Sequence, residues 1–206
     1  MAIVYGQVYR IKNGYQRWRG YLNANDSGPY SNIPPGPDGL HCVSTRDYNQ
    51  NYDPQTDTPN SLWKLLSATG KPDGSPVLSG DIVHIQNQGV PFGQDFMGGF
   101  LDTRGEGCQD NFLCVSTSKS KDRYLGSGSW KILINKPGSG AAEAGEQIGE
   151  QVGFHLLNGA NGFNGGYLDT RGTGLYGDLC LVSTRSVWDG VDDPNTTAWW
   201  CEIPRV

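Results

Sequence analysis

The 206-residue sequence contains no run of Lys or Arg, and its formal net charge is −5. That speaks against a nucleic-acid partner, because phosphate contacts need clustered basic side chains. No apolar stretch approaches the roughly 18 residues of a membrane-spanning helix, so no membrane insertion is expected. The opening "MAIVYGQVYRIKNG" is too short and too polar for a secretory apolar region, and Arg10 and Lys12 follow early. The expectation is a soluble protein, cytoplasmic or released without a signal peptide. Of the five cysteines (42, 108, 114, 180 and 201) none forms a Cys-x-x-Cys pair, which removes the common zinc and redox motifs and leaves small buried thiols. No Gly-x-Ser-x-Gly elbow and no phosphate-cradling loop occurs, so catalysis finds no support. No segment carries a sustained helical period. "AAEAGEQIGEQV" (141–152) has helix-forming letters, but two glycines interrupt it, and it reads as a linker with at most one helical turn.

What the chain does have is turns and repetition. Thirty glycines and twelve prolines punctuate a sequence that is 36% hydrophobic and 11% aromatic, enough for a packed core. Four short patterns recur in the same order three times. The first alternates apolar and polar: "VYRIKN" (8–13), "IVHIQN" (82–87) and "GFHLLN" (153–158). The second is an aromatic followed by leucine: "GYLNAN" (20–25), "GFLDTR" (99–104) and "GYLDTR" (166–171). The third is "CVSTR" (42–46), "CVSTS" (114–118) and "LVSTR" (181–185), with Val43, Val115 and Val182 spaced 72 and 67 residues apart. The fourth carries a tryptophan: "SLWKLL" (61–66), "GSWKIL" (128–133) and "TAWWCEI" (197–203).

Each pattern reads as a β-strand between turn residues. In the first strands Tyr9/Ile11, Val83/Ile85 and Phe154/Leu156 face inward, leaving Arg10, His84 and His155 to solvent. In the third, Ser and Thr are expected on an exposed face. Trp63, Trp130 and Trp199 are expected in the core. Four strands in three copies predict one all-β domain over 1–206, with repeats at about 2–79, 80–149 and 150–206. A β-sandwich and a three-bladed propeller-like array are the other architectures to weigh; the usual propeller has more blades.

With its threefold repeat, its tryptophan in each closing strand and its Asp ahead of a Gly-containing turn, the chain resembles the β-trefoil group. Within that group it is similar to the ricin-B-type lectins over nearly its whole length, as a divergent member: "SLW", "GSW" and "AWW" stand where the family has Gln-x-Trp. The resemblance implies a β-trefoil of three four-stranded pseudo-repeats. It also implies a non-catalytic, multivalent, carbohydrate-binding lectin, an agglutinin suited to recognition or defence. In that family an aspartate ending the second strand accepts sugar hydroxyls. The matching positions are Asp102 and Asp169, with Asn23 in the first repeat. An ionised carboxylate accepts two adjacent hydroxyls, and charge-assisted bonds are the stronger kind. Arg104 and Arg171 lie two residues on and either hold the carboxylate or donate to a further hydroxyl. A sugar's apolar C–H face needs a flat partner, and Phe112 and Tyr124 in repeat two, and Tyr176 and Trp188 in repeat three, are the candidates.

The implied partners are glycans or glycoproteins of galactose or GalNAc type, with a homodimer as a further expectation. No cofactor or metal is expected: His41, His84 and His155 have no ligand-spaced companions, and the acidic loop 188–195 lacks the spacing of a calcium loop. "Leu-Asp-Thr-Arg-Gly" can equally be a folding element, since a repeated turn alone preserves it. Two further functions stay open. The long first-repeat segments 25–41 and 47–60 suit a protease inhibitor, and a receptor-targeting domain of a toxin is the other.

Overall fold

The computed structural model describes residues 1–15, 20–25, 39–47, 59–89, 98–106, 113–136, 145–171, 179–186 and 195–204. Every one of the twelve recurring segments is a strand. In chain order they are β1 (Val8–Asn13), β2 (Gly20–Asn25), β3 (Gly39–Asp47), β4 (Leu62–Ser67), β5 (Ile82–Asn87), β6 (Phe100–Glu106), β7 (Leu113–Ser118), β8 (Trp130–Ile134), β9 (Phe154–Asn158), β10 (Tyr167–Arg171), β11 (Leu179–Arg185) and β12 (Trp199–Glu202). A single 3-10 turn (Pro59–Ser61) and one short helical turn, α1 (Ala160–Phe163), complete the described elements. The helical turn was not expected. It is not regular helix, because Asn161 and Gly162 inside it have positive φ. Among the described residues no helix is long and apolar enough to cross a membrane.

The protein is all-β, with its sheet closing in a ring. Strand β1 pairs with β4 and β12, β4 with β5, β5 with β8, β8 with β9, and β9 with β12, so the path returns to its start. A closed path leaves these six strands without an open edge. The remaining six form hairpins, β2–β3, β6–β7 and β10–β11. The second strands of the hairpins pair with one another: β3 with β7, β7 with β11, and β11 with β3. The hairpins therefore gather into a three-sided cap.

Alternation along the strands places the core. Tyr9, Ile11, Val83, Ile85, Phe154, Leu156, Trp130 and Ile132 are all buried. The three tryptophans fill equivalent places, and each indole Nε1–H donates to a leucine carbonyl in the adjoining hairpin. Trp63 donates to Leu22 at 2.8 Å, Trp130 to Leu101 at 2.9 Å, and Trp199 to Leu168 at 3.0 Å. A buried indole thus contributes apolar area and satisfies its one polar atom. Cys201 occupies in β12 the place that Leu65 and Ile132 hold in their strands; it is fully buried, and burial pushes its thiol pKa well up. It is a small apolar filler rather than a reactive thiol.

The floor of the ring is a feature that no sequence run announced. Ile3, Val77 and Ile148, each 0% exposed, close it with a cycle of backbone bonds. The Ile3 amide donates to Ile148 (2.9 Å), that of Ile148 to Val77 (3.0 Å) and that of Val77 to Ile3 (3.0 Å). Asp81 fastens this floor, accepting from Lys71 Nζ (2.7 Å), the Tyr5 hydroxyl (2.9 Å) and the Leu78 amide (2.9 Å). Burial opposes its ionisation, but those three donors outweigh burial and hold its pKa below the ordinary carboxylate value.

Two expectations need correction. The Ser and Thr residues of the third strands are not on an exposed face: Ser44, Thr45, Ser116, Thr117, Ser183 and Thr184 are all buried. Side-by-side packing of three hairpins turns what would be an outer face into the inside of the cap. His155 is also buried, at 4% exposure, because the segment leading into β12 covers it. Its Nδ1 sits 2.9 Å from the Thr197 carbonyl, and so carries the proton and donates. His84 makes the matching contact to Gly128 at 3.0 Å.

Candidate functional site

The repeated "Gly-Gly-aromatic-Leu-Asp-Thr-Arg" begins with two glycines that have separate reasons. A Cβ on Gly98 would lie 2.0 Å from Asn87 Oδ1, and one on Gly165 would lie 2.4 Å from Asn158 Oδ1. Gly99 and Gly166 have φ of +83° and +85°. Together they let the chain pass close over the end of the preceding strand and then turn into the hairpin.

The hairpin register is the same in all three copies. Leu22, Leu101 and Leu168 face Thr45, Thr117 and Thr184; Asn23, Asp102 and Asp169 face Ser44, Ser116 and Ser183. The threonine of the motif joins one copy to the next. Thr103 Oγ1 donates to Asn158 Oδ1 at 3.0 Å, and Thr170 Oγ1 donates to Asn13 Oδ1 at 3.0 Å. These asparagines end the first strands, and their amides donate to Ser127 O (2.8 Å) and Thr196 O (2.8 Å). Asn87 donates likewise to Asn60 O at 2.7 Å, but the residue in the place of the threonine is Ala24.

Asp102 and Asp169 are 0% exposed and Asn23 is 2% exposed. Both Asp102 oxygens are engaged. Oδ2 accepts from the Ser127 hydroxyl at 3.0 Å, and Oδ1 accepts from Arg123 Nε and a terminal nitrogen, each at 3.3 Å. Arg123 also donates to the Thr103 carbonyl at 3.0 Å. With the side chain 0% exposed, neither oxygen of Asp102 opens directly to solvent. Burial raises the Asp102 pKa above the ordinary value; the Arg123 charge and the bonds from Ser127 and Arg123 offset only part of that. Arg104 is half-buried in β6.

The residues that hold Asp102 belong to the connection between β7 and β8, and this connection is the outward-facing part of the assembly. The Tyr124 amide donates to Ser127 Oγ (3.1 Å), the Ser127 amide to the Tyr124 carbonyl (2.9 Å), and the Gly126 amide to the exposed Asp122 carboxylate (2.9 Å). A Cβ on Gly128 would lie 2.1 Å from the Lys121 carbonyl, so the loop folds tightly on itself. At its tip stand Tyr124, 67% exposed, and Leu125, 73% exposed with a φ of +40°. A leucine in the left-handed region persists only where its surroundings over-determine it. Gly126 rests on the neighbouring turn, where its added Cβ would meet the Gly159 carbonyl at 2.4 Å. That turn carries Phe163, whose φ is +67° and whose ring lies 4.1 Å from Lys131 Nζ of β8.

The structure thus leaves Tyr124 exposed at the surface, linked to Asp102 through Arg123 and Ser127. Sequence reasoning missed Arg123, Ser127 and Phe163; the turn residues around "RYLGSG" were the available signal. Phe112, Tyr176 and Trp188 lie outside the described residues, as do the side chain of Arg171, the first-repeat segments 26–38 and 48–58, and nearly all of the acidic loop. Among the described residues no group of three or more His, Cys, Asp or Glu could hold a metal ion.

No family model matches the chain, and no curated protein matches it in sequence. Solved structures match it in fold. The SDF2-like protein from Arabidopsis thaliana aligns with a TM-score of 0.68 at 16% identity, over 98% of this chain and 95% of that one. A Caenorhabditis elegans protein described as of unknown function gives 0.66 at 17%, over 99% and 97%. The Saccharomyces cerevisiae protein O-mannosyltransferase Pmt1-Pmt2 complex, solved with its sugar donor, gives 0.64 at 16%, over 98% of this chain but 25% of that one. Identities this low speak for the fold alone. The narrower likeness to ricin-B-type lectins rests on the sequence.

Proposed function

We propose that the chain is a non-catalytic, carbohydrate-binding β-trefoil of three four-stranded repeats, and that its second repeat contacts glycan through the Tyr124 loop. Asp102 serves that site from inside, by fixing Arg123 and Ser127 beneath the tip. The observation that carries this reading is the pairing of an exposed aromatic with a rigid mount: Tyr124 is 67% exposed, while the loop around it is bonded to a fully buried carboxylate. An aromatic face presented without the freedom to collapse suits stacking on the C–H side of a sugar ring. Asp122, Arg123 and the backbone beside it supply polar groups for the hydroxyls. A fold shared with part of a mannosyltransferase chain is in keeping with this reading.

In the third repeat Asp169 holds the matching position, and Arg171, Tyr176 and Trp188 complete the proposed second site. Two such sites on one body would bind multivalent glycans with gained avidity. The test is a glycan array that includes galactose, GalNAc and mannose ligands, followed by Tyr124→Ala. The variant is expected to lose at least about tenfold in affinity while melting within about 2 °C of the parent, as a surface substitution should. Full binding by Tyr124→Ala would refute the site.

A further inference from the structure

We infer that the Tyr124 loop selects anionic sugars, those bearing sulfate or carboxylate groups; this rests on the carbohydrate-binding reading and sharpens it. The chain as a whole is acidic, with a net charge of −5, yet residues 119–131 carry Lys119, Lys121, Arg123 and Lys131 against the single acid Asp122. The stretch before the tryptophan of the third repeat, 186–198, has Asp189, Asp192 and Asp193 and no basic residue. One repeat has therefore gathered positive charge at the place where another gathered negative charge. Internal repetition of a folding element does not explain that divergence.

Geometry puts the charge around the aromatic tip. The Lys121 carbonyl lies against Gly128, which brings the exposed Lys121 back to the base of the loop. Gly126 packs on Gly159, so the turn bearing Phe163 is the wall of the same surface, and Lys131 Nζ stands 4.1 Å over the Phe163 ring. The Arg123 charge is balanced by Asp102, while the exposed Asp122 carboxylate accepts from the Gly126 amide and the Ser129 hydroxyl. In the outward charge the lysines outnumber Asp122. Tyr124 and Leu125 offer the apolar face, Lys121 stands at its base, and Lys131 lies over Phe163 in the adjoining turn. An uncharged sugar uses the first set alone, and a sulfated or carboxylated one uses both.

The experiment titrates the full chain with a sulfated hexasaccharide, with its fully desulfated counterpart, and with an oligothymidylate of matched charge. The sulfated sugar is expected to bind at least about tenfold more tightly than the desulfated one at low salt, and that gap should narrow as salt rises to about 0.5 M. Lys121→Gln combined with Lys131→Gln should shrink the gap to about twofold. Equal affinity for the two sugars, or a gap that survives the double variant, overturns the inference while leaving carbohydrate binding intact. Failure of both sugars to bind defeats the carbohydrate reading as well. Oligothymidylate binding as tightly as the sulfated sugar shows a polyanion site instead, and also overturns it.

Discussion

The first hairpin lacks the cross-strand hydroxyl that the other two carry. Thr103 and Thr170 reach across to Asn158 and Asn13, whereas Ala24 leaves Asn87 with its backbone partners only. All three asparagines still bond a carbonyl just ahead of a tryptophan strand, so that contact does not depend on the threonine. What the threonine adds is a tie between successive units. The two hairpins that keep this tie also keep the buried aspartate, while the first has Asn23. The motif that looks most like a ligand site in the sequence is, in its Asp-Thr portion, a seam. The part that meets solvent belongs to the loop that the seam holds.

The largest effects should come at the three buried tryptophans, each bonded to a leucine carbonyl. Trp63→Ala, Trp130→Ala and Trp199→Ala should each cost about 3–5 kcal/mol in urea denaturation, since each empties a large buried volume and orphans a leucine carbonyl. A tryptophan that proves much cheaper than its counterparts would break the equivalence of the units. Next come the seams. Thr103→Ala and Thr170→Ala should each cost about 1 kcal/mol, and a cycle with Asn158→Ala should show that Thr103 and Asn158 are coupled. Ala24→Thr should gain a few tenths to about 1 kcal/mol by installing the missing tie. A loss would mean that the first seam is closed by other means.

A smaller effect separates two carboxylates, the half-buried Asp81 and the buried Asp102, by sign. Asp81 has a lowered pKa, so its stabilisation is present above the unfolded value and is lost as pH falls through its folded value. Asp102 has a raised pKa, so its contribution is present below the unfolded value and is lost as pH rises through its folded value. The melting-temperature advantage of the parent over Asp81→Asn should therefore be larger at neutral pH than near pH 3. The advantage over Asp102→Asn should run the other way. Parallel trends would show that one of the two environments is misread.

Strand positions and the tryptophan core were legible because both are periodic and local: Trp130 alternates with Lys131 and Ile132, and β8 follows that alternation. Features made by distant single residues were not. Ile3, Val77 and Ile148 close the floor with one backbone bond from each amide, and no run of residues marks them. The buried Ser and Thr of the third strands look like surface residues until three hairpins meet over them. Asp102 stood out in the sequence, but its partners, Arg123 and Ser127, lie 21 and 25 residues away, and only folding assigns them. The sequence thus marked Asp102 as a candidate, while the exposed loop bonded to it is defined only by packing.

The decisive measurement sets two variants side by side, Tyr124→Ala and Asp102→Asn, and reads their affinity for a glycan that the parent binds. If the seam holds the loop and the loop holds the sugar, Tyr124→Ala loses at least about tenfold and Asp102→Asn loses clearly less. The reverse order, with Asp102→Asn abolishing binding and Tyr124→Ala sparing it, would contradict the account.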